Sequence, residues 1–350
     1  MSRILIDLSI LRHPYCGLGQ IAINYGRLYG QQASQLLGGH DVTLLVPPNA
    51  VGQYGDTVRY LPMHDIYRFM PQLMPHYDVW HSIHQFSPFR PFSSSTRRLL
   101  TIHDLNFMYE KPPAKSRKYL QRLQHECNRA TEICFISHFA QSEATRLLEL
   151  SGKPQHVIYN GVEDMTRGEQ LRPSFSDERP FFLCMGVVKE KKNLHTLLPL
   201  MHLMDEYCLI IAGNDTDAYA ERLRNEARQT NNIHILGPVS DSERRWLYAH
   251  CHALLFPSLC EGFGLPVIEA MQWGKPVVCS RSTSLPEIGS THAFYFDSFQ
   301  PDAMQQTVLH ALANDTPAHA EAARQYAATF AYDNHMRQYA TLIAALANSH

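Results

Sequence analysis

The chain has 350 residues, 45% hydrophobic and 18% charged, which excludes a disordered chain and suggests two domains by length. Its formal net charge of −2 gives no electrostatic footprint for a nucleic-acid partner. No apolar run reaches the roughly 18 residues a membrane span needs, so any membrane contact is expected to be peripheral. Met1-Ser2-Arg3 leads directly into a strand pattern, so no secretory leader is expected. Short apolar runs then alternate with longer amphipathic stretches, which predicts an α/β fold with mainly parallel sheets. In the first half the strands are expected at 3–7, 42–46, 79–82, 98–102, 132–136 and 156–158, and the clearest helices at 20–35, 117–129 and 139–150. Asn160-Gly161 is a turn signal that closes this half.

Residues 162–179 are polar, with Pro173 inside and Pro180 just after, and read as an interdomain linker. A second alternating set follows, with strands at 181–185, 207–212, 233–236, 253–256, 276–279 and 293–296 and helices at 193–205, 216–229, 241–250 and 265–273. The tail 321–347 is helical by periodicity, with a break at Tyr332-Asp333-Asn334 and Asp333 as a candidate N-cap. Two successive doubly wound halves place a ligand cleft at the carboxyl ends of the strands. The eight cysteines form no Cys-x-x-Cys pair, and several sit in strand-like runs, so buried free thiols in a reducing compartment are expected.

The most informative segment runs from Phe256 to Ser280. Glu261 and Glu269 bracket a Gly-x-Gly turn, Gly262 and Gly264, with Pro266 at an apparent helix start. Such a turn exposes several backbone N–H groups at one point, aimed at an anion or at sugar hydroxyls. The second carboxylate lies within the helix and can accept hydrogen bonds from a diol. A phosphorylated sugar asks for that combination. The form Glu-Gly-Phe-Gly-Leu-Pro-x-x-Glu-Ala resembles the signature of retaining, GT-B-fold glycosyltransferases of family 4, the glycosyl transferases group 1, and its mannosyltransferase-like members. The pattern is far more specific than a lone glycine-rich turn.

The resemblance spans nearly the whole chain. It implies two Rossmann-like doubly wound domains facing an interdomain cleft: an acceptor-binding domain over 1–165 and a nucleotide-sugar-binding domain over 176–329, with the last helix, about 330–350, packed back on the first. It also gives both glutamates to the donor, unlike the glycosidase pair that flanks one bond. Glu269 would hold the ribose hydroxyls, and Glu261 the hydroxyls of the transferred sugar or the catalytic face. The amides of Gly262, Phe263 and Gly264 would contact the sugar, and that of Leu265 the phosphate.

Four further segments fit. In Cys16-Gly17-Leu18-Gly19-Gln20-Ile21-Ala22 a dinucleotide fingerprint is disfavoured: nine residues, Leu8 to Cys16, separate the strand from Gly17, and no acid follows the second strand. The family reading has Gly17 and Gly19 approach the donor diphosphate or sugar, with a structural turn as the alternative. His103-Asp104 sits where a strand ends, so His103 could hydrogen-bond the donor sugar and Asp104 orient it or bind the acceptor; a cap or turn is the alternative. Gly186-Val187-Val188-Lys189-Glu190-Lys191-Lys192-Asn193 resembles the family's Gly-x-x-x-x-Arg-Lys-Asn, where a cation stabilises charge on the leaving phosphate. Lys192 matches the phosphate lysine. Lys191 replaces the usual Arg and Val187 another, so the clamp is lighter. Ser137 matches a cleft serine, and equally an N-cap for the next helix.

Other motifs read as bland. Asp215-Thr216-Asp217 invites a metal-diphosphate reading, but an N-cap suits its place before a helix better. His81-x-x-His84 lacks companions at metal spacing and reads as cleft wall or core. Lys111, Lys115, Arg117, Lys118, Arg122 and Arg129 make a basic stretch with Tyr119, Leu120 and Leu123 interleaved. Such a face can lie on anionic lipid, and a solvated helix face is the alternative.

The expectation is a cytoplasmic, metal-independent, retaining hexosyltransferase with no bound cofactor, at most peripheral on the membrane face. It would move mannose from GDP-mannose to a glycan or lipid-linked saccharide in surface-polysaccharide synthesis. UDP- or dTDP-sugar donors, and a non-catalytic nucleotide-sugar-binding protein, remain as alternatives. Acceptor contacts are expected on the loops 51–70 and 86–95.

Overall fold

The computed structural model of the chain describes residues 1–14 and 17–349, so Cys16 of the glycine loop lies outside the described residues. Two compact units form: residues 1–161 with 332–350, and residues 162–331. In the first, seven strands form one sheet: β1 (Arg3–Asp7), β2 (Asp41–Val46), β3 (Arg59–Pro62), β4 (Val79–Ser82), β5 (Arg97–Ile102), β6 (Glu132–Phe135) and β7 (Gln155–Val157). Their order is β3-β2-β1-β4-β5-β6-β7 and every pairing is parallel. Both faces are covered, so the strands read as unbroken apolar runs; Ile4, Leu5 and Ile6 are fully buried. Strand β3 was not expected. It is a short edge strand with one buried residue, ending in Pro62, and carries little apolar signal.

The helix Gly17–Leu36 begins at Gly17, earlier than its periodicity suggested. Gly19 lies in its first turn, where a Cβ would fall 2.2 Å from the carbonyl oxygen of His13. The last helix, Tyr332–Asn348, packs Met336, Tyr339, Ile343 and Leu346 into the same core as Ile4, Ile6 and Leu44. Its start corrects the expected cap: Asp333 is inside the first turn, and the chain break falls at Ala331, which is bridged to Val162.

Under this helix lies a buried polar network. Tyr25 OH donates to His335 Nε2 at 2.8 Å, and His335 Nδ1 donates to the Tyr159 carbonyl at 2.7 Å. Thr101 Oγ1 joins His81 Nε2, at 3.0 Å, to Tyr339 OH, at 3.1 Å. Burial pushes the pKa down to about 3 for His81 and about 4 for His335, and does the same to His84, about 3, and His103, about 4.

The second unit holds β8 (Phe181–Met185), β9 (Cys208–Ala212), β10 (Ile233–Gly237), β11 (Ala253–Phe256), β12 (Val277–Ser280) and β13 (Phe294–Phe296), in the order β10-β9-β8-β11-β12-β13, again all parallel. The segment 162–179 is not a free linker. It is docked on this unit: Met165 N donates to Gln272 Oε1, Leu171 N to the Ser242 carbonyl, and the Arg172 guanidinium lies 5.6 Å from the Trp246 ring centroid. The helix expected over 193–205 is shorter. Asn193 takes a left-handed conformation, a 3-10 turn covers Leu194–Thr196, and the α-helix is Leu197–His202. The helices Leu285–Gly289 and Pro301–Ala313 were also missed.

Among the described residues, no helix is long and apolar enough to cross a membrane. The seven described cysteines are buried free thiols.

The histidine network sets an acid limit. Each of the four binds a proton less readily folded than unfolded, where the value is 6.5. The unfolded chain therefore takes up more protons below that pH. Stability is full above it and falls as pH drops, by about 1.4 kcal/mol per pH unit for each histidine until its folded value is passed. The melting temperature should fall steeply between about pH 6.5 and 5, and less steeply in His335→Gln. A flat profile in the parent chain would refute the neutral buried cluster.

Candidate active site

In the second unit the strand order reverses between β8 and β11. The segments leaving these two neighbours diverge to opposite sides and leave a crevice at the carboxyl ends. Two bonds fasten them there: Leu259 N donates to the Lys191 carbonyl at 2.8 Å, and Ser258 Oγ donates to the same oxygen at 3.3 Å. The residues Glu190–Lys192 form a 3-10 turn ended by left-handed Asn193. The turn directs Lys192 Nζ to Glu261 Oε1 at 2.5 Å and places it 4.8 Å from the centre of the Phe256 ring. Both side chains are mostly buried, 13% and 12% exposed. A small hollow beside them is lined by Gly186, Val187, Leu194 and Phe256. Gly186 has a positive φ of 131°, and a Cβ there would lie 3.8 Å from Lys192 Nζ.

The loop carrying Glu261 is braced from behind. Glu261 N donates to Thr283 Oγ1 at 2.9 Å, and Ser284 Oγ donates to the carbonyls of Glu261, at 3.1 Å, and Phe263, at 3.0 Å. Thr283 sits at a φ of 55°, a costly conformation for a β-branched residue. Gly264 caps the helix Leu265–Gln272 at a φ of 104°, where a Cβ would also meet Leu285 at 2.7 Å. Glu269 lies in that helix, 3% exposed. Arg244 Nη2 donates to its Oε1, and Tyr248 OH to its Oε2 at 2.6 Å. Burial and the neighbouring Glu269 anion push the Tyr248 phenol far up. Thr283, Ser284, Arg244 and Tyr248 were missed in the sequence. They carry no motif and come from other elements.

The other predicted residues belong to the first unit. His103 follows β5 and is buried; its Nε2 donates to the Ile83 carbonyl at 2.7 Å, and its backbone N to Gln85 Oε1 at 3.1 Å. A carbonyl only accepts, so this neutral ring carries its proton on Nε2 and keeps Nδ1 as an acceptor. Asp104 Oδ1 accepts from Asn106 N at 3.0 Å, the turn alternative, while Gln85 Nε2 donates to its carbonyl. Ser137 is the N-cap of the helix His138–Leu147, its Oγ accepting from Ala140 N at 3.1 Å, and is fully buried. Gly17 and Gly19 lie in the first turn of the helix Gly17–Leu36, which the glycine-rich segment opens.

The bland readings of the remaining motifs stand. Asp217 caps the helix Ala218–Ala227, and Asp215 is paired with Arg224. His81 and His84 are core residues. Among the described residues, Asp177, Cys208 and His234 bring three metal-ligand atoms within 4.8 Å of one another. The Asp177 carboxylate, however, already takes Arg179 Nη2 at 2.7 Å and Nε at 3.0 Å, and His234 Nε2 at 2.8 Å. Those Arg179 bonds hold its pKa well below the usual carboxylate range, the mark of a structural clamp. On the helix Pro113–Arg129 the basic side chains are exposed, but Leu123 is buried, and Tyr119 and Leu120 pack on the core. The apolar side of that stretch is used inside the protein.

Residues 167–330 match the family described as Glycosyl transferases group 1. This segment belongs to that family. O-antigen chain mannosyltransferase B of Escherichia coli is 28% identical over 240 residues, 63% of this chain and 62% of that protein. O-antigen chain mannosyltransferase RfbU of Salmonella typhimurium is 25% identical, covering 67% of this chain and 66% of that protein. The match thus spans just under two thirds of either relative. Anabaena HepE, solved in complex with UDP-glucose, superposes with a TM-score of 0.73 at 16% identity, covering 99% of this chain and all of that one. With its two doubly wound sheets the chain has the GT-B fold.

The Thr283 brace can be weighed by two substitutions. Thr283→Ala leaves the Glu261 N–H without its acceptor, at a cost of about 1–3 kcal/mol. Thr283→Gly loses the same bond but relieves about 1 kcal/mol of left-handed strain. Denaturant unfolding should rank the parent above Thr283→Gly, and that above Thr283→Ala. Equal stability of the two variants would show that the conformation holds no strain.

Proposed function

We propose that the protein is a retaining, metal-independent glycosyltransferase that moves mannose from GDP-mannose to a hydroxyl of a glycan or lipid-linked saccharide, in the assembly of a surface polysaccharide. The observation that carries the reading is the Lys192 ammonium held against Glu261 at the strand-order reversal between β8 and β11. The group 1 family match supports sugar transfer, and the mannosyltransferase names of the two relatives favour mannose.

In this reading Lys192 stabilises the charge that builds on the leaving diphosphate. Lys191 assists, and the start of the helix Leu265–Gln272 adds its N–H groups, that of Leu265 among them. Gly262, Phe263 and Gly264 border the sugar. Glu261 binds its hydroxyls, and Glu269 the ribose diol. The bond between the anomeric carbon and the phosphate oxygen breaks while the acceptor oxygen bonds to that carbon on the same face. The acceptor proton passes to the departing phosphate oxygen. His103, neutral with Nδ1 as acceptor, suits a bond from a sugar hydroxyl, and Asp104 suits the acceptor. The exposed basic helix would meet an anionic membrane face by charge alone, since its apolar side chains are packed inward.

A thermal-shift series with GDP, UDP, dTDP and ADP and their sugars tests the donor. GDP and GDP-mannose should stabilise the parent, and Lys192→Ala and Glu269→Ala should lose that shift. Lys192→Ala should also lower the transfer rate by about 100-fold or more. A chelator should leave the parent rate unchanged. Stabilisation by UDP instead would replace the donor base, and no shift with any nucleotide would overturn the reading.

A further inference from the structure

Glu269 is held in an unusual way. Its side chain is 4% exposed, yet both oxygens are taken by one helix, Asp241–His250. Arg244 and Tyr248 are four residues apart, so they project from one face of that helix. The helix itself is fixed. Ser240 and Glu243 close a capping box at its start, and Leu171 N binds the Ser242 carbonyl. Tyr248 is fully buried, and the bond to Glu269 is the one recorded for its hydroxyl.

Stability alone is a poor reason for this cluster. A buried ion pair seldom outperforms apolar side chains of similar size. This one is also imperfect, because Arg244 Nε is buried without a partner. Such a lost bond is a cost that a purely structural pair has no cause to keep. The lone pairs give a better reason. A carboxylate offers about four acceptor positions, of which Arg244 and Tyr248 fill two. The remaining two are fixed in direction, because a rigid helix clamps both oxygens.

We infer that Tyr248 and Arg244 are positioning residues that orient Glu269 to read the 2′- and 3′-hydroxyls of the donor's ribose. The inference rests on the proposed nucleotide-sugar site. Arg244 and Tyr248 each donate to one carboxylate oxygen, so the group faces a ligand as an acceptor. Tyr248 fixes its plane, so that the two open lone pairs meet a cis-diol as a pair. The selection falls on the sugar of the nucleotide and is independent of the base.

The test is calorimetric titration of the full chain with GDP and UDP, each beside its 2′,3′-dideoxy analogue. The parent should prefer the ribose form of the accepted base by roughly tenfold or more, as expected for hydrogen bonds to a charged acceptor. Tyr248→Phe keeps the ring in its packing site. It should narrow that preference to about threefold or less while leaving the dideoxy affinity within about twofold. Arg244→Lys, which keeps the charge but replaces the planar guanidinium by a point charge on a flexible stem, should narrow it likewise. If Tyr248→Phe weakens both forms equally, or leaves the preference intact, the residue is a structural tie and the inference is wrong. If the parent binds ribose and dideoxy forms alike, Glu269 does not read the ribose and the inference fails while the nucleotide site stands. If neither nucleotide binds, the proposed function itself falls.

Discussion

The second unit depends on what happens where its strand order reverses. Between β8 and β11 the strand order reverses, the place where a doubly wound sheet leaves a crevice. One backbone bond, from Leu259 N to the Lys191 carbonyl, and a side-chain bond from Ser258 to the same oxygen tie the two segments together there. Lys192 from one lip and Glu261 from the other then meet as an ion pair. The first unit solves the same problem at its own reversal, between β1 and β4. There Asp7 accepts from Ser87 Oγ at 2.5 Å and from Ser9 N at 3.0 Å. Asp7 is fully buried, and desolvation raises its pKa despite those bonds. One crevice is spanned by a neutralised pair of charges, the other by a carboxylate without a cation bonded to it. That difference suits the second unit to an anionic ligand.

A lysine paired with a glutamate is a guarded cation. The pair is too dry for full solvent screening, so separating the partners would be costly unless another anion takes the carboxylate's place. In the proposed reaction the diphosphate does so, and Glu261 is released toward the sugar. Val187, at the edge of the same hollow, is apolar and 38% exposed. In the proposed reaction Lys192 acts as a point charge, and direction must come from the surrounding backbone. The strained Thr283 and the two bonds from Ser284 supply it by fixing the loop that carries Glu261.

How much of this could be read in advance follows from where each signal lies. Parallel strands buried on both faces leave apolar runs, and these marked most of the thirteen described strands to within a residue or so, while β7, a short half-buried edge strand, was placed without such a run. Strand β3 lies at an edge and lacks that run. The segment 162–179 looked like a linker because it is polar, yet its polar side chains help to dock it: Arg172 lies over the Trp246 ring, Asp177 accepts from His234 Nε2, and Arg179 donates to the Asp205 carbonyl. The helix expected at Asn193 begins later because an αL residue and a 3-10 turn come first. The carboxylates were legible because a glycine-rich turn and a helix keep them at fixed spacing. Their supports were not, since Thr283 and Tyr248 act across the fold and depend on no local pattern. Ser137 forms the cap that its place before a helix suggested, its Oγ accepting from Ala140 N.

The two glutamates end up in opposite conditions, although the motif writes them alike. Glu261 sits on a loop and faces a lysine, and in the proposed reaction its carboxylate exchanges that partner as a ligand enters. Glu269 sits inside a helix and faces an arginine and a tyrosine that a second helix holds in place, so its acceptor directions are set before any ligand arrives. Preorganisation lowers the ordering cost of binding and makes a wrong geometry expensive. A group that must hold the nucleotide steady benefits from that rigidity, while a group beside the reacting carbon must follow a charge that moves during the reaction. The division of labour between the two carboxylates is therefore written less in their spacing than in what stands behind each of them.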